Sequence, residues 1–278
     1  MAKLVWDQVG ERFYETGTKK GVLYVQSNGT YPLGVAWNGL TAVNESPEGA
    51  EANDIYADDI KYLTLRSAEN FKATIEAYTY PEEFEECDGS RIVTQGVTIG
   101  AQPRKSFGFS FVTTYGNDTE LDEYGYKIHL IYGATVSPSE KSYQTINDNP
   151  EAISFSWEVD TIPVPVTGYK PTAHMIINST QFTSPQAKAK LLDFEDILYG
   201  TDGHEAVAAQ YTKTSDTSKV AGKTYYTLSN NTYSEFSGTT FAANTDYYEL
   251  TVAARDAATA ATARLPLPDE VISALTVS

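Results

Sequence analysis

One cysteine, two methionines and three histidines are all that 278 residues hold of the softer metal ligands. The lone Cys87 permits no internal disulfide and no cysteine-based metal cluster. His129, His174 and His204 stand far apart with no short ligand spacing. His129 falls in the apolar run 128–132 and reads as a strand residue, so no metal centre is expected. Basic residues are scarce too: 20 Lys and Arg against 37 Asp and Glu give a net charge of −17. Sequence-independent nucleic-acid binding draws its affinity from neutralised phosphates, so this balance argues against it. No run approaches the roughly 20 apolar residues of a membrane span. The N-terminal residues lack the apolar centre of a signal peptide, so the expectation is a soluble chain made in a cytoplasm, without membrane insertion.

Catalytic signatures are missing as well. The chain has no GxSxG, P-loop, HExxH or GxGxxG pattern, and the carboxylate clusters Asp58-Asp59 and Asp193 with Glu195-Asp196 read as solvated charge. The acidic run 81–88 lacks the glycine at the bend of a calcium loop. It reads instead as a short helix opened by Pro81, its carboxylates near the positive end of the dipole. No enzyme activity and no cofactor are expected.

What the chain does have is tyrosine, 20 residues of it, alongside 11 phenylalanines. Aromatics suit pleated, half-buried surfaces, and the length fits one large β domain with a small insert. The stretch 58–80 reads as a hairpin turning at 67–70. In its second strand Phe71, Ala73, Ile75 and Ala77 face one way, while Lys72, Thr74, Glu76, Tyr78 and Tyr80 face the other. A strand pair is predicted around a turn at 17–20, and a tight turn at Asn28-Gly29. Residues 44–53 read as a long polar loop. Strands over 106–115 and 124–133 pair around 116–118, with Phe107, Phe109 and Phe111 as a core stripe. Further strands are expected over 135–145, 152–161 and 174–179. Five or more strands of this length describe a sandwich or a barrel.

Residues 185–199 read as a flanking helix, with Ser184 as its cap, Pro185 in the first turn and Gly200 past its end. From 205 to 263 the composition turns Thr- and Tyr-rich, predicting a small inserted β module that ends in a helix or linker over 253–263. Residues 1–204 form the core, and 264–278 return to it. Tyr225, Tyr226, Tyr247 and Tyr248 are candidate surface residues of the insert.

Several segments together resemble the major tail protein, or tail tube protein, of long-tailed, non-contractile phages of Gram-positive bacteria. They are VWDQVGERFYETG at 5–17 with Gly21-Val22-Leu23-Tyr24, Trp37 to Leu40 with 46–51, the hairpin ending at Pro81, and Leu198-Tyr199-Gly200 with 265–271. The resemblance spans roughly 3–203 and 264–275. It implies a tail-tube-like β-sandwich or barrel whose homohexameric rings stack into a tube for DNA passage. Partners would be a tape-measure protein, a tail terminator and distal tail proteins, and the location would be the virion tail. On that reading Asp58, Asp59, Lys61, Lys72 and Glu76 belong to the ring or lumen hairpin. Asn44, Glu45, Glu48 and Glu51 belong to a ring-to-ring contact loop, and the acidic surface lets DNA slide. A monomeric carbohydrate-binding or cell-surface module using the paired tyrosines is the rival reading; a glycan hydrolase using paired acids is a weaker third.

Overall fold

A computed structural model describes residues 4–49, 51–143, 145 and 152–277. The protein is mainly β, with antiparallel sheets and few helices. In chain order, β1 (Phe13–Val25), β2 (Gly34–Trp37) and β3 (Leu40–Glu45) lead into four exposed strands. These are β4 (Glu48–Gly49), β5 (Ala52–Ala57), β6 (Ile60–Arg66) and β7 (Glu69–Asn70). Then come β8 (Lys72–Ala77), the short helix α1 (Glu85–Asp88), β9 (Arg91–Thr94) and β10 (Val97–Ile99). The long pair β11 (Phe107–Asn117) and β12 (Leu121–Val136) precedes β13 (Phe155–Thr161), β14 (His174–Asn178) and α2 (Pro185–Tyr199). The remainder is β15 (Thr201–His204), β16 (Gln210–Lys213), β17 (Tyr226–Ser229), β18 (Thr232–Glu235), β19 (Tyr247–Val252), β20 (Ala258–Ala261) and α3 (Pro268–Leu275).

The main sheet runs β2-β1-β11-β12-β13-β8-β3, with β14 added beside β12. Its two edge strands, β2 and β3, are consecutive in the chain and joined only by Asn38 and Gly39, the latter at φ 75°. A two-residue link between opposite edges is possible only if the sheet curls back on itself. The inside of that curl holds one core: Trp37, Ile75, Phe84, Phe107, Phe109, Phe111, Ile131 and Trp157, with Cys87. The outside holds a second, where Tyr24, Tyr31, Ile128, Leu130 and Tyr132 meet Leu191, Phe194 and Leu198 of α2 and Val271 of α3. Gly133 sits between Tyr132 of the outer core and Ala134 of the inner one. Its φ is +60°, and a Cβ there would lie 2.1 Å from the Ile162 carbonyl oxygen, so only glycine makes this crossing from one core to the other.

Helix α2 begins and ends where the sequence predicts. Ser184 Oγ accepts from the Ala187 amide at 3.1 Å, Pro185 takes the first turn, and Gly200 follows the last helical residue. The Asn28-Gly29 turn, the core phenylalanine stripe and the β11–β12 pairing also form as expected.

Other elements differ from the sequence reading. Residues 17–20 make no turn; β1 runs through them, and its register against β11 shifts between Thr16 and Val22. Gly17 and Lys20, both at positive φ, serve a bulge rather than a reversal. The strand expected over 135–145 stops at Val136, and residues 144 and 146–151 lie outside the described residues. Residues 258–261, expected as helix or linker, are strand β20, paired with β15.

Candidate functional site

The hairpin expected over 58–80 has a different shape. Strand β6 pairs with β5 before it, not with β8 after it, and β8 lies between β3 and β13 in the main sheet. Residues 44–53 are likewise no loop, because β3, β4 and β5 occupy most of them. The offset between partners stays constant from Ala42↔Glu76 through Glu48↔Asn70 to Ile55↔Leu63. The described residues from 40–49 and 51–77 therefore follow one two-stranded ribbon. Its root is built into the main sheet, and its outer half is exposed on both strands. At 3.3–3.4 Å per residue that outer half reaches about 40 Å from root to tip. Asp58 and Asp59 form the tip with φ of 52° and 61°, the paired left-handed geometry of a tight hairpin turn. A two-aspartate turn flanked by strands was the missed signal.

Because side chains alternate and the offset does not change, the arm inherits the faces of the sheet. Ala73, Ile75 and Ala77 are buried, the last two in the inner core. Ile55, Leu63 and Leu65 have the same parity farther out and are 38 %, 38 % and 53 % exposed. The core-facing row thus passes through polar Glu69, Ser67 and Glu51 and ends on the arm in an uncovered apolar patch of Ile55, Leu63 and Leu65. Beyond a one-residue shift after Ile55, Tyr56, Ile60 and Tyr62 are more than 60 % exposed around the tip. The opposite face is polar: Asp54 accepts from Thr64 Oγ1 at 2.6 Å and pairs with Lys61 Nζ at 2.8 Å. Chiefly through Lys61, the Asp54 carboxyl is held below its ordinary range.

At the root, Lys72 pairs with Glu48 at 2.8 Å and Asn44 donates to Glu76. Lys72 and Glu76 belong to a second feature, the wet face of the main sheet. Ser156, Glu158 and Asp160 of β13 stand opposite Glu76, Thr74 and Lys72 of β8, and Ala42 and Asn44 of β3 extend the rows. This face carries three acids and one lysine. Glu158 and Asp160 escaped the sequence reading, although the alternation Ser156-Trp157-Glu158-Val159-Asp160 marks them. The expected lumen set therefore splits: Asp58, Asp59 and Lys61 cap the arm, while Lys72 and Glu76 lie on the sheet. The expected contact set splits too. Glu48 and Glu51 are exposed at the arm's outer half, Asn44 is on the sheet, and Glu45 turns toward His129 and His174.

Two further apolar surfaces are uncovered. Leu4, Val5, Trp6 and Val9 are 61–77 % exposed, and the small β9–β10 hairpin exposes Ile92, Val93, Val97 and Ile99.

The insert leaves and rejoins the core through the β15–β20 ribbon, where His204 faces Ala258, and forms a sheet in the order β16-β19-β17-β18. Tyr225 and Tyr247 are not surface residues. They are buried with Phe236 and Phe241 as the module's own core, and the Tyr247 and Phe241 rings stack at 3.9 Å. Tyr226 and Tyr248 lie on the other face with Tyr211 and Tyr233, packed ring on ring. Rings that stack on one another leave little open platform for a sugar.

No family model matches the chain, and no curated protein matches it. Among the described residues no helix is long and apolar enough to cross a membrane.

Proposed function

We propose that this protein is a structural subunit of a phage tail tube, polymerising through its arm into stacked hexameric rings around an acidic channel for DNA. The observation that carries the reading is the arm itself, a ribbon about 40 Å long whose outer part exposes a short apolar stripe, Ile55, Leu63 and Leu65. A lone ribbon in water gains too little from its own contacts to justify such a stripe. Burying the exposed parts of Ile55, Leu63 and Leu65 against a neighbouring copy would contribute on the order of 1 kcal/mol each. An arm on one surface that fits a different surface of the next copy is a heterologous contact, the kind that builds rings and open stacks.

The wet face of β13, β8 and β3 suits the channel wall. Its acids Glu76, Glu158 and Asp160, on a chain of net charge −17, repel phosphate and leave DNA free to slide. Tape-measure, terminator and distal tail proteins are the partners this reading implies, and the insert belongs to the outside of the tube. The test is negative-stain microscopy of the purified protein across a concentration series. Rings or hollow tubes with a pore wide enough for duplex DNA are expected. A strictly monomeric species at every concentration overturns the proposal.

A further inference from the structure

We infer that Glu45, His129 and His174 form a zinc site inside the curled sheet. Strands β12 and β14 pair with His129 opposite Ile176 and Ile131 opposite His174, which sets the two imidazoles diagonally on one face. Glu45, the last residue of β3, comes from the far side of the curl. His129 Nδ1 lies 3.4 Å from His174 Nε2 and 3.6 Å from Glu45 Oε1, and His174 Nε2 lies 3.5 Å from the same oxygen. These separations are long for hydrogen bonds, whose usual length is near 2.9 Å. They fit three corners of a tetrahedron, because ligands about 2.1 Å from a zinc ion stand about 3.4 Å from one another.

The surroundings orient the donors. Thr113 donates to Glu15 at 2.6 Å, which leaves its oxygen, 3.1 Å from His129 Nε2, free to accept. Glu15 Oε1 is 3.4 Å from the same nitrogen, and Lys127 fixes Glu15 from the other side. The proton of His129 therefore belongs on Nε2, and the Nδ1 lone pair points into the gap. This is the carboxylate–imidazole support usual behind a metal-bound histidine. Phe111 stacks on His129 at 4.4 Å, and Phe71 packs against His174 at 4.6 Å with its ring tilted by 32°. Two imidazoles and a carboxylate suit a borderline cation, and three protein ligands leave a fourth position.

A second group, Asp193, Asp196 and His204, has similar ligand types but a resident cation. Arg255 donates to Asp193 at 2.7 Å and to Asp196 at 2.9 Å, so the charge a metal would supply is already there. The inferred zinc site is also placed to matter mechanically. It ties the residue at the arm's root to β12 and β14, independently of whether the protein assembles.

The test uses the untagged full-length chain, dialysed against EDTA and titrated with Zn²⁺ alone by calorimetry, then with Co²⁺ to read visible absorption from a tetrahedral site. One ion per chain is expected, with a rise in melting temperature. Glu45→Gln and His174→Gln should each weaken binding at least tenfold, and Thr113→Val roughly tenfold through the misplaced ring. Asp196→Asn should leave it unchanged. If His174→Gln does not fold, Glu45→Gln, whose side chain is partly exposed, decides alone. Absence of stoichiometric binding overturns the inference and leaves His129 simply lying between Glu15 and Glu45. Binding that survives Glu45→Gln, or is lost in Asp196→Asn, overturns it equally.

Discussion

Ile55 and Leu63 stand opposite each other across the arm, each 38 % exposed, on the face that Ile75 buries deeper in the same ribbon. Their exposure makes them dispensable to the isolated chain and available to a neighbour. Leu63→Asp combined with Leu65→Asp should change unfolding free energy by less than about 1 kcal/mol, because surface changes rarely exceed 0.5 kcal/mol each. The same pair should abolish ring or tube formation by microscopy. Tubes that form normally would remove the arm from the interface.

Channel charge gives a separate expectation. Glu158→Lys with Asp160→Lys adds positive charge where the proposed wall meets DNA. Particles carrying both should assemble and should release their genome more slowly, with the delay shrinking as salt rises. Asp58→Lys with Asp59→Lys, at the arm tip, should slow release less. An unchanged ejection rate for the sheet variant would argue that this face does not line the lumen.

The insert is predicted to be separable. His204 and Ala258 are cross-strand partners, so replacing residues 205–257 by Asn-Gly closes the β15–β20 ribbon with a tight turn. The shortened chain loses the Arg255 ion pairs to Asp193 and Asp196 but none of the two main cores. It should remain soluble, with a melting temperature within several degrees of the parent by circular dichroism. Insoluble protein would show that the insert helps to fold the core.

Cys87 supplies a chemical probe. It is fully buried beside Phe84, and burial pushes its thiol up to about 12. Only the thiolate reacts with disulfide reagents. Since a raised value keeps the thiol protonated below about pH 12, the folded chain at pH 8 should show almost no labelling. One thiol per chain should appear on denaturation. Rapid labelling of the folded protein would mean that the α1 corner opens readily.

How much was legible in the sequence depended on how local the determining forces are. Helix α2 was readable because Ser184, Pro185 and Gly200 act within a turn of their own positions. The Phe107-Phe109-Phe111 stripe was readable because alternation is a property of one strand. The arm was misread because the tight turn at Asp58-Asp59 looked like strand-flanking charge. The 67–70 segment, rich in turn formers, looked like the reversal, and only pairing across more than thirty residues decides between them. Tyr225 and Tyr226 are adjacent in sequence yet face opposite sides of a sheet, so which one is buried depends on Phe236 and Phe241. The histidines were separated for the same reason: His129 and His174 are 45 positions apart, and only the β12–β14 register joins them.

The constant offset along the arm also bears on how the chain folds. Pairing Glu45 with Ala73 directly would close a loop of 27 intervening residues before any contact repays the lost entropy. Starting at Asp58-Asp59, the same pair is reached one neighbouring rung at a time, each step closing almost nothing. The arm can thus zip from tip to root, delivering β3 and β8 to the sheet already in register. A one-residue deletion in a single strand would send Ile75 to the wet side as the zipper arrived. The most exposed part of the molecule would then set the alignment of one of its most buried residues.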